Sequence, residues 1–147
     1  MTELRALVAT DFQAWLPLWQ GYLTFYKASV DAATTRLTFE RLTGGTEPMG
    51  AFLAHDAAGR AIGMVHWIQH RSCWTSGDYC YLQDLFVAPN VRNGGVGRLL
   101  IEAVYALAKS RGCSRVHWLT HETNTDAMKL YDKIADRSGF LQYRKIL

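Results

Sequence analysis

A glycine-rich turn that joins a strand-like segment to an amphipathic helix is the feature of this sequence that most restricts its fold. The turn reads Val-Arg-Asn-Gly-Gly-Val-Gly over residues 91–97. Residues 79–87 before it are rich in β-formers, and after it apolar residues recur at helical spacing as far as Leu107. Such a turn leaves backbone N–H groups unpaired at the amino end of a helix, where the helix dipole adds partial positive charge. The sequence therefore predicts an anion-binding turn, with a plain strand–helix connection as the alternative.

The residues of this turn exclude two well-known phosphate-binding patterns. No Gly-Lys-Ser/Thr ending is present, so the turn is not a P-loop, and Gly94, Gly95 and Gly97 do not have the G-x-G-x-x-G spacing. What remains is Arg92-x-x-Gly95-x-Gly97. Arg92 and Arg98 flank the turn and could form charge-assisted hydrogen bonds to an anion.

Composition limits the class of protein. The 147 residues fit one domain, 1–147, and the net charge of +3 is scattered without a basic tract. This distribution argues against a nucleic-acid partner and suits an anionic cofactor. The three cysteines lack metal-type spacing and indicate reduced thiols. With no signal segment and no run of about 18 apolar residues, we expect a cytoplasmic protein without a membrane partner.

The order of predicted elements is β-α-α-β-β-β-α-β-α-β, which indicates an α/β fold with a mixed sheet. The expected strands are 4–8, 49–55, 61–69, 79–87, 115–120 and 139–146, and the expected helices are about 11–26, 35–42, 96–110 and 124–135. Pro17 lies within the first helix and either kinks it or marks its start.

A second informative segment follows the predicted strand at 115–120. On a helix, Asn124, Ala127 and Tyr131 share one face, which would carry an amide and a phenol. The plainer interpretation is an N-cap asparagine and a tyrosine packed in the core. The functional interpretation gains weight because this face follows one strand and the anion-binding turn follows the strand before it.

The two segments together resemble a known family. They read Arg92-x-x-Gly95-x-Gly97 and Asn124-x-x-Ala127-x-x-Leu130-Tyr131. This pattern is similar to the GNAT superfamily of N-acetyltransferases, most clearly over residues 79–147. Residues 81–87 and 139–144 look most like the branch that acetylates polyamines, small amines and histone-like peptides. The resemblance implies a GNAT-like single domain, with a mixed, mostly antiparallel sheet of about six to seven strands and about four helices.

The resemblance also implies an enzyme with acetyl-CoA as co-substrate and no metal. Its acetyl group would pass to a primary amine, on a small molecule or a lysine side chain, by direct attack. Backbone groups of β-strand residues would pair with the pantetheine arm, turn amides would hold the pyrophosphate, and a lysine would meet the adenosine phosphate. The residues implied in these contacts are Phe86, Val87, Arg92, Asn93, Gly94, Gly95, Val96, Gly97, Arg98, Asn124 (to the pantetheine) and Lys133.

By the same resemblance, Tyr131 would donate a proton to the departing CoA thiolate. A phenol with a pKa near ~10 is protonated at neutral pH and can act as a general acid.

The acceptor side departs from the polyamine branch. That branch has a glutamate where this chain has Gln83, and an amide cannot act as a base. Asp84 is adjacent, but on a regular strand its side chain points to the opposite face. The sequence leaves open whether Glu122, His121 or Asp84 acts as a base through water, or whether the substrate arrives partly neutral.

The first helix carries an aromatic stripe of Trp15, Trp19, Tyr22 and Tyr26. Core packing is the default interpretation. The alternative is that Tyr22 and Tyr26 line the acceptor pocket, where aromatic faces suit a cationic amine.

The histidines form two pairs that would each share a strand face, His66 with His70 and His117 with His121. No cysteine or carboxylate lies at ligand-like spacing from them, so we expect no metal site.

The competing hypothesis is a non-catalytic acyl-CoA-binding sensor or assembly domain of the same fold, which substitution of Tyr131 would distinguish. The family resemblance also implies a homodimer, with Tyr143 and Leu147 of the last predicted strand at the interface.

Overall fold

The computed structural model describes residues 1–92 and 94–147. The helices are α1 (Phe12–Phe25), α2 (Ala32–Thr43), α3 (Val96–Ser110) and α4 (Thr125–Ile134). The strands are β1 (Glu3–Ala6), β2 (Met49–His55), β3 (Ala61–His70), β4 (Tyr79–Val87) and β5 (Arg115–His117). Short 3-10 turns at Ala9–Asp11 and Pro89–Val91 precede α1 and the glycine-rich turn.

The strands form one sheet in the order β1-β2-β3-β4-β5. The first four strands are antiparallel to their neighbours, and β5 runs parallel to β4 after the crossover through α3. The pairing of β4 with β5 extends only from Tyr79 opposite Arg115 to Tyr81 opposite His117. Residues 82–87 of β4 therefore have an edge that no described strand covers.

The sheet is covered by helices on both faces. Trp15, Trp19 and Phe39 of α1 and α2 pack on one face, against Leu53 and other apolar residues of the central strands. The second core cluster joins α3 to the other face, and its residues are Ala54, Ile62, Val65, Trp67, Cys80, Leu82, Val96, Leu100, Ile101, Val104 and Ala108. Half-buried residues of α4 border this second cluster.

Local sequence signals explain where the helices begin. The Asp31 side chain accepts a hydrogen bond from the Thr34 backbone N–H at 2.7 Å, so α2 starts before the predicted Thr35. Helix α1 begins at Phe12 and continues through Pro17, so the proline does not mark its start.

The predicted α/β class, with one mixed sheet and four α-helices, is confirmed. The described residues form five strands, one fewer than the six expected strands. The prediction of a strand at 139–146 is wrong. A strand needs a ladder partner, and residues 136–147 lie exposed and paired to no described strand. Among the described residues, no helix combines the length and apolar character needed to cross a membrane.

Leu100 and Leu99 offer a matched test of the α3 packing, because Leu100 is fully buried and Leu99 is 42% exposed. We expect Leu100→Ala to lower the free energy of unfolding by about 2–5 kcal/mol, since it leaves a cavity in the core. Leu99→Ala should cost less than about 1 kcal/mol. Denaturant unfolding of both variants measures this difference, and equal losses would contradict the packing described.

Candidate active site

A β-bulge in β4 determines which of its side chains face α1. His66 of β3 lies opposite Asp84 and Trp67 lies opposite Leu82, so Gln83 is an extra residue with no partner in β3. Such a bulge reverses the alternation of side chains along the strand. Leu82 consequently packs in the α3 cluster, whereas Phe86 packs in the α1 cluster.

The bulge corrects the expectation that Gln83 and Asp84 point to opposite faces. Both side chains line one cavity, between β4 and the helices α1 and α2. The expectation was wrong because it assumed the regular period of two, which the extra residue interrupts.

Asp84 ends a short chain of buried hydrogen bonds. The Trp15 Nε1–H donates to His66 Nε2 at 2.9 Å, and His66 Nδ1 lies 2.8 Å from Asp84 Oδ2. Because an indole nitrogen can only donate, Nε2 accepts and the imidazole proton lies on Nδ1, which donates to Asp84. The imidazole thus fixes the orientation of the carboxylate, and His66 and Asp84 are only 2% and 9% exposed.

The aromatic stripe of α1 extends from this chain toward the surface. Successive ring centroids of Trp15, Trp19, Tyr22 and Tyr26 lie 5.6, 5.8 and 5.0 Å apart. The two tryptophans are core residues, whereas Tyr22 is half-buried and Tyr26 exposed. The stripe is therefore core packing at its inner end, while its outer end at Tyr26 is open to solvent.

Asp84 contributes to raising the pKa of three nearby tyrosines. Burial and the nearby Asp84 carboxylate raise the pKa of Tyr22 above its ordinary value. The same two causes raise the pKa of Tyr26 and of Tyr81. The region is therefore a carboxylate surrounded by protonated phenols, an environment that suits a cation.

The cavity beside Asp84 has a volume of about 270 Å³. Its lining residues are Trp19, Thr38, Arg41, Leu42, Met49, His66, Ile68, Gln83 and Asp84. His121 and Glu122 lie exposed in the segment before α4 and are not among the described lining residues. Of the bases considered from sequence, the structure brings only Asp84 to this cavity.

The amino end of α3 has the conformation expected of the glycine-rich turn. Gly95 is the N-cap, with φ of 81° in the left-handed region, and no described side chain caps the helix. Gly94 is exposed, Val96 is buried and Gly97 is half-buried at the first turn. Asn93, also expected in this turn, lies outside the described residues.

The two arginines that flank the turn have partners of their own. Arg92 Nε donates to the Val87 carbonyl oxygen at 3.1 Å, and its guanidinium lies 5.4 and 5.5 Å from the ring centres of Phe25 and Phe86. Arg98 is exposed and forms an ion pair of 2.9 Å with Glu102.

Helix α4 places Tyr131 on its half-buried side. Burial, with a smaller contribution from Tyr26, raises the pKa of Tyr131 to about 12. The ring makes an edge contact with Trp118 at 5.4 Å. Tyr26 is thus near both Asp84 and Tyr131, which links the acceptor side of β4 to α4.

The other two α4 residues singled out from sequence differ in exposure. Asn124 is the N-cap residue of α4, but its Nδ2 donates to Thr120 Oγ1 at 3.1 Å instead of capping the helix. Lys133 is exposed on the outer side of the helix.

Within the part of the chain that the structure describes, no group of three or more histidine, cysteine or acidic side chains is arranged to hold a metal ion.

The sequence interpretation missed two residues of the cavity. From sequence, His66 is placed on a strand face with His70 and has no role in the site, although a histidine inside the apolar run of β3 is a signal for a buried imidazole that needs partners. Arg41 carried no sequence signal, because the helical pattern of α2 shows only that it lies off the apolar face.

The chain is similar to known acetyltransferases over most of its length. The acetyltransferase (GNAT) family matches residues 12–135. The D-amino-acid N-acetyltransferase of Saccharomyces cerevisiae is 34% identical over 143 residues, covering 97% of this chain and 89% of that enzyme. The thialysine N-epsilon-acetyltransferase of Caenorhabditis elegans is 30% identical over 84 residues, covering 57% of this chain and 49% of that enzyme.

A solved structure shows the same fold. AAC(6')-Iy, in complex with a bisubstrate analogue of CoA, superimposes with a TM-score of 0.85 at 21% identity, covering 100% of this chain and 99% of that one. The family match and the similarity to the yeast enzyme identify the chain as an acyltransferase. The chain belongs to the GNAT family, and it is an N-acetyltransferase that uses acetyl-CoA to acetylate an amine.

The hydrogen bonds of His66 predict an uncommon tautomer. Nitrogen-15 NMR should show its proton on Nδ1 and a bare Nε2, because Nε2 accepts from Trp15. His121 provides an internal control, since its Nδ1 accepts from the Thr123 backbone N–H at 3.2 Å and its proton should lie on Nε2. A protonated Nε2 at His66 would contradict the proposed chain of hydrogen bonds.

Proposed function

We propose that this enzyme acetylates a small free amine that enters the cavity beside Asp84. The observation that carries the proposal is the position of β4. One side of the strand borders the cavity that contains Asp84, while its free edge at residues 82–87 leads to the amino end of α3. An amine and a thioester held on these two sides would meet at β4.

The donor side fits a CoA thioester. The uncovered edge of β4 offers backbone groups of Val87 to the amide groups of a pantetheine arm. Those of Phe86 are directed to β3, because the Ala88 N–H two residues on bonds to the Ile62 carbonyl oxygen at 2.8 Å. The turn from Arg92 to Arg98 supplies backbone N–H groups and cations to a pyrophosphate. Asn124 and the exposed Lys133 are our candidates for the pantetheine and the adenosine phosphate.

The acceptor side is anchored by Asp84, which we assign to the ammonium group of the incoming amine. His66 is a positioning residue, because both of its ring nitrogens are already bonded within the protein. Tyr22 and Tyr26 form the adjoining aromatic wall, and the exposed Gln83 supplies an amide at the bulge. Glu122 and His121 have no role in this assignment.

The reaction balances with one proton donor. The ammonium group first releases one proton to solvent; the neutral nitrogen then bonds to the thioester carbonyl carbon, and the carbon–sulfur bond breaks. The Tyr131 phenol gives its proton to the sulfur, and the second proton lost by the nitrogen restores the phenol. With a pKa of about 12, Tyr131 stays protonated through pH 10 and remains a competent donor.

The size of the cavity fits a small acceptor such as a free amino acid. About 270 Å³ is slightly below the ~300–1,000 Å³ range of drug-sized ligand sites. The relatives described above are named for a D-amino acid and for thialysine, which are molecules of this size. We therefore expect a free amino acid or a similar small amine as substrate.

Two substitutions separate the proposed roles of Asp84 and Tyr131. Asp84→Asn keeps the shape but removes the charge, so we expect the KM for the amine to rise at least tenfold with little change for acetyl-CoA. Tyr131→Phe should lower kcat about 10²- to 10⁴-fold and leave acetyl-CoA affinity nearly unchanged. Steady-state release of the CoA thiol measures both.

The matched controls are Glu3→Gln, which removes an exposed charge on β1, and Tyr79→Phe at the far end of β4. Both should retain wild-type kinetics. A Tyr131→Phe enzyme with unchanged kcat would exclude the phenol as the proton donor. A chain that binds acetyl-CoA but acetylates no amine would support the non-catalytic sensor instead.

We also propose that the enzyme is a homodimer that pairs the segment 136–147 of one subunit with its partner. Phe140, Leu141 and Tyr143 are 82%, 83% and 93% exposed, and this segment has the composition of a strand. An apolar, strand-like segment without a partner is costly in water and tends to pair with another chain. Leu147 would lie at the same interface.

Sedimentation tests the role of this segment. Replacing Phe140, Leu141 and Tyr143 together by serine should convert a micromolar dimer to a monomer, because it removes the apolar contacts. Replacing the polar neighbours Gln142 and Arg144 by serine should leave the dimer intact. A wild-type protein that sediments as a monomer would contradict the proposal.

We propose that the enzyme works in the cytoplasm. Cys73 is exposed and Cys80 and Cys113 are free thiols, which supports a reducing compartment such as the cytoplasm. We further propose that residues 1–147 act as a single domain, without a nucleic-acid or membrane partner.

A further inference from the structure

The cavity beside Asp84 carries a second charged group that the reaction does not use. Arg41, in the last turn of α2, lines the cavity together with Thr38. Asp84 reaches the same cavity from β4 on the sheet side. The two charges are of opposite sign and come from different layers of the fold.

Arg41 differs from the other arginines of the folded region in having no partner among the described residues. Those that form an ion pair with a carboxylate are Arg5, Arg60, Arg71, Arg98 and Arg137. Those that lie over an aromatic ring are Arg36, Arg92, Arg111 and Arg115. The Arg41 guanidinium retains its planar set of donors, which matches the geometry of a carboxylate.

We propose that Arg41 binds a carboxylate of the acceptor, so that the cavity selects an amino acid over an amine that lacks this group. The assignment rests on the proposed function and adds a residue that determines specificity. The amine reaches the buried Asp84, and the carboxylate stays beside α2.

The exposure of the two residues fits this orientation. Asp84 is a buried residue of β4, where the acetyl group must be transferred, whereas Arg41 is exposed at the rim. A carboxylate bound at the rim keeps part of its hydration, so its binding does not carry the large desolvation cost of a buried ion pair. The half-buried Thr38 hydroxyl is one turn away on the same helix and can donate to it.

The test compares a free amino acid with its C-terminal amide, which keeps the side chain and the reacting amine but lacks the carboxylate. CoA release at saturating acetyl-CoA gives kcat/KM for each. The wild-type enzyme should prefer the free acid about ten- to hundredfold. Arg41→Gln should lower kcat/KM for the acid to near that for the amide and leave the amide unchanged.

Arg36→Gln is the matched control. Arg36 lies on the same helix but 3.7 Å over the Phe12 ring and outside the cavity, so its loss should not change the preference. Arg41→Lys keeps the charge without the planar donors, so this variant should retain part of the preference for the free acid. Because one pair of substrates is compared across all variants, differences in amine basicity cancel.

The outcomes separate this inference from the proposed function. An Arg41→Gln enzyme that acetylates both substrates with the wild-type ratio would overturn the role of Arg41 alone. An equal loss on acid and amide would also overturn it, because that result indicates a structural role. A wild-type enzyme inactive on every small amine would overturn the proposed function and Arg41's role with it.

Discussion

The extra residue at Gln83 decides which side chains reach each face of the central sheet, and the candidate site depends on it. Before the bulge, Cys80 and Leu82 belong to the α3 core; after it, Phe86 belongs to the α1 core. Without the bulge, Asp84 would be directed into the apolar contact with α3, where an unpaired carboxylate is costly. With it, the carboxylate meets His66 and the cavity. The extra residue Gln83 thus places the Asp84 carboxylate where it is hydrogen-bonded and can bind a ligand, and keeps it out of the apolar core.

Strand β4 separates the two halves of the reaction because its edges are used differently. Its edge toward β3 is paired along the strand except at Gln83, while the pairing of its other edge with β5 ends at Tyr81. The uncovered edge is a local weakness of the sheet, since strand backbone needs partners. Binding of an extended donor molecule would supply the missing hydrogen bonds.

The sequence predicted the elements whose signals are local. Helix α3 runs from Val96 to Ser110 as predicted, because a strong apolar period lies between glycines at both ends. The bulge could not be predicted, since a strand segment alternates equally well in either register until its neighbour is known. The segment 139–146 failed for a related reason: strand propensity does not reveal whether the chain offers an edge to pair with. Arg41 could be found only once α2 was placed against β4.

The two walls of the cavity differ in how freely their residues can change. Trp19 and His66 are parts of the core, so their replacement would disturb packing as well as binding. Thr38 and Arg41 lie on a helix surface, where most substitutions have little effect on stability. Substrate preference in such a fold can therefore diverge through α2 while the amine-binding carboxylate and its support stay constant. Related chains with the same core and different α2 surfaces would then acetylate different amines.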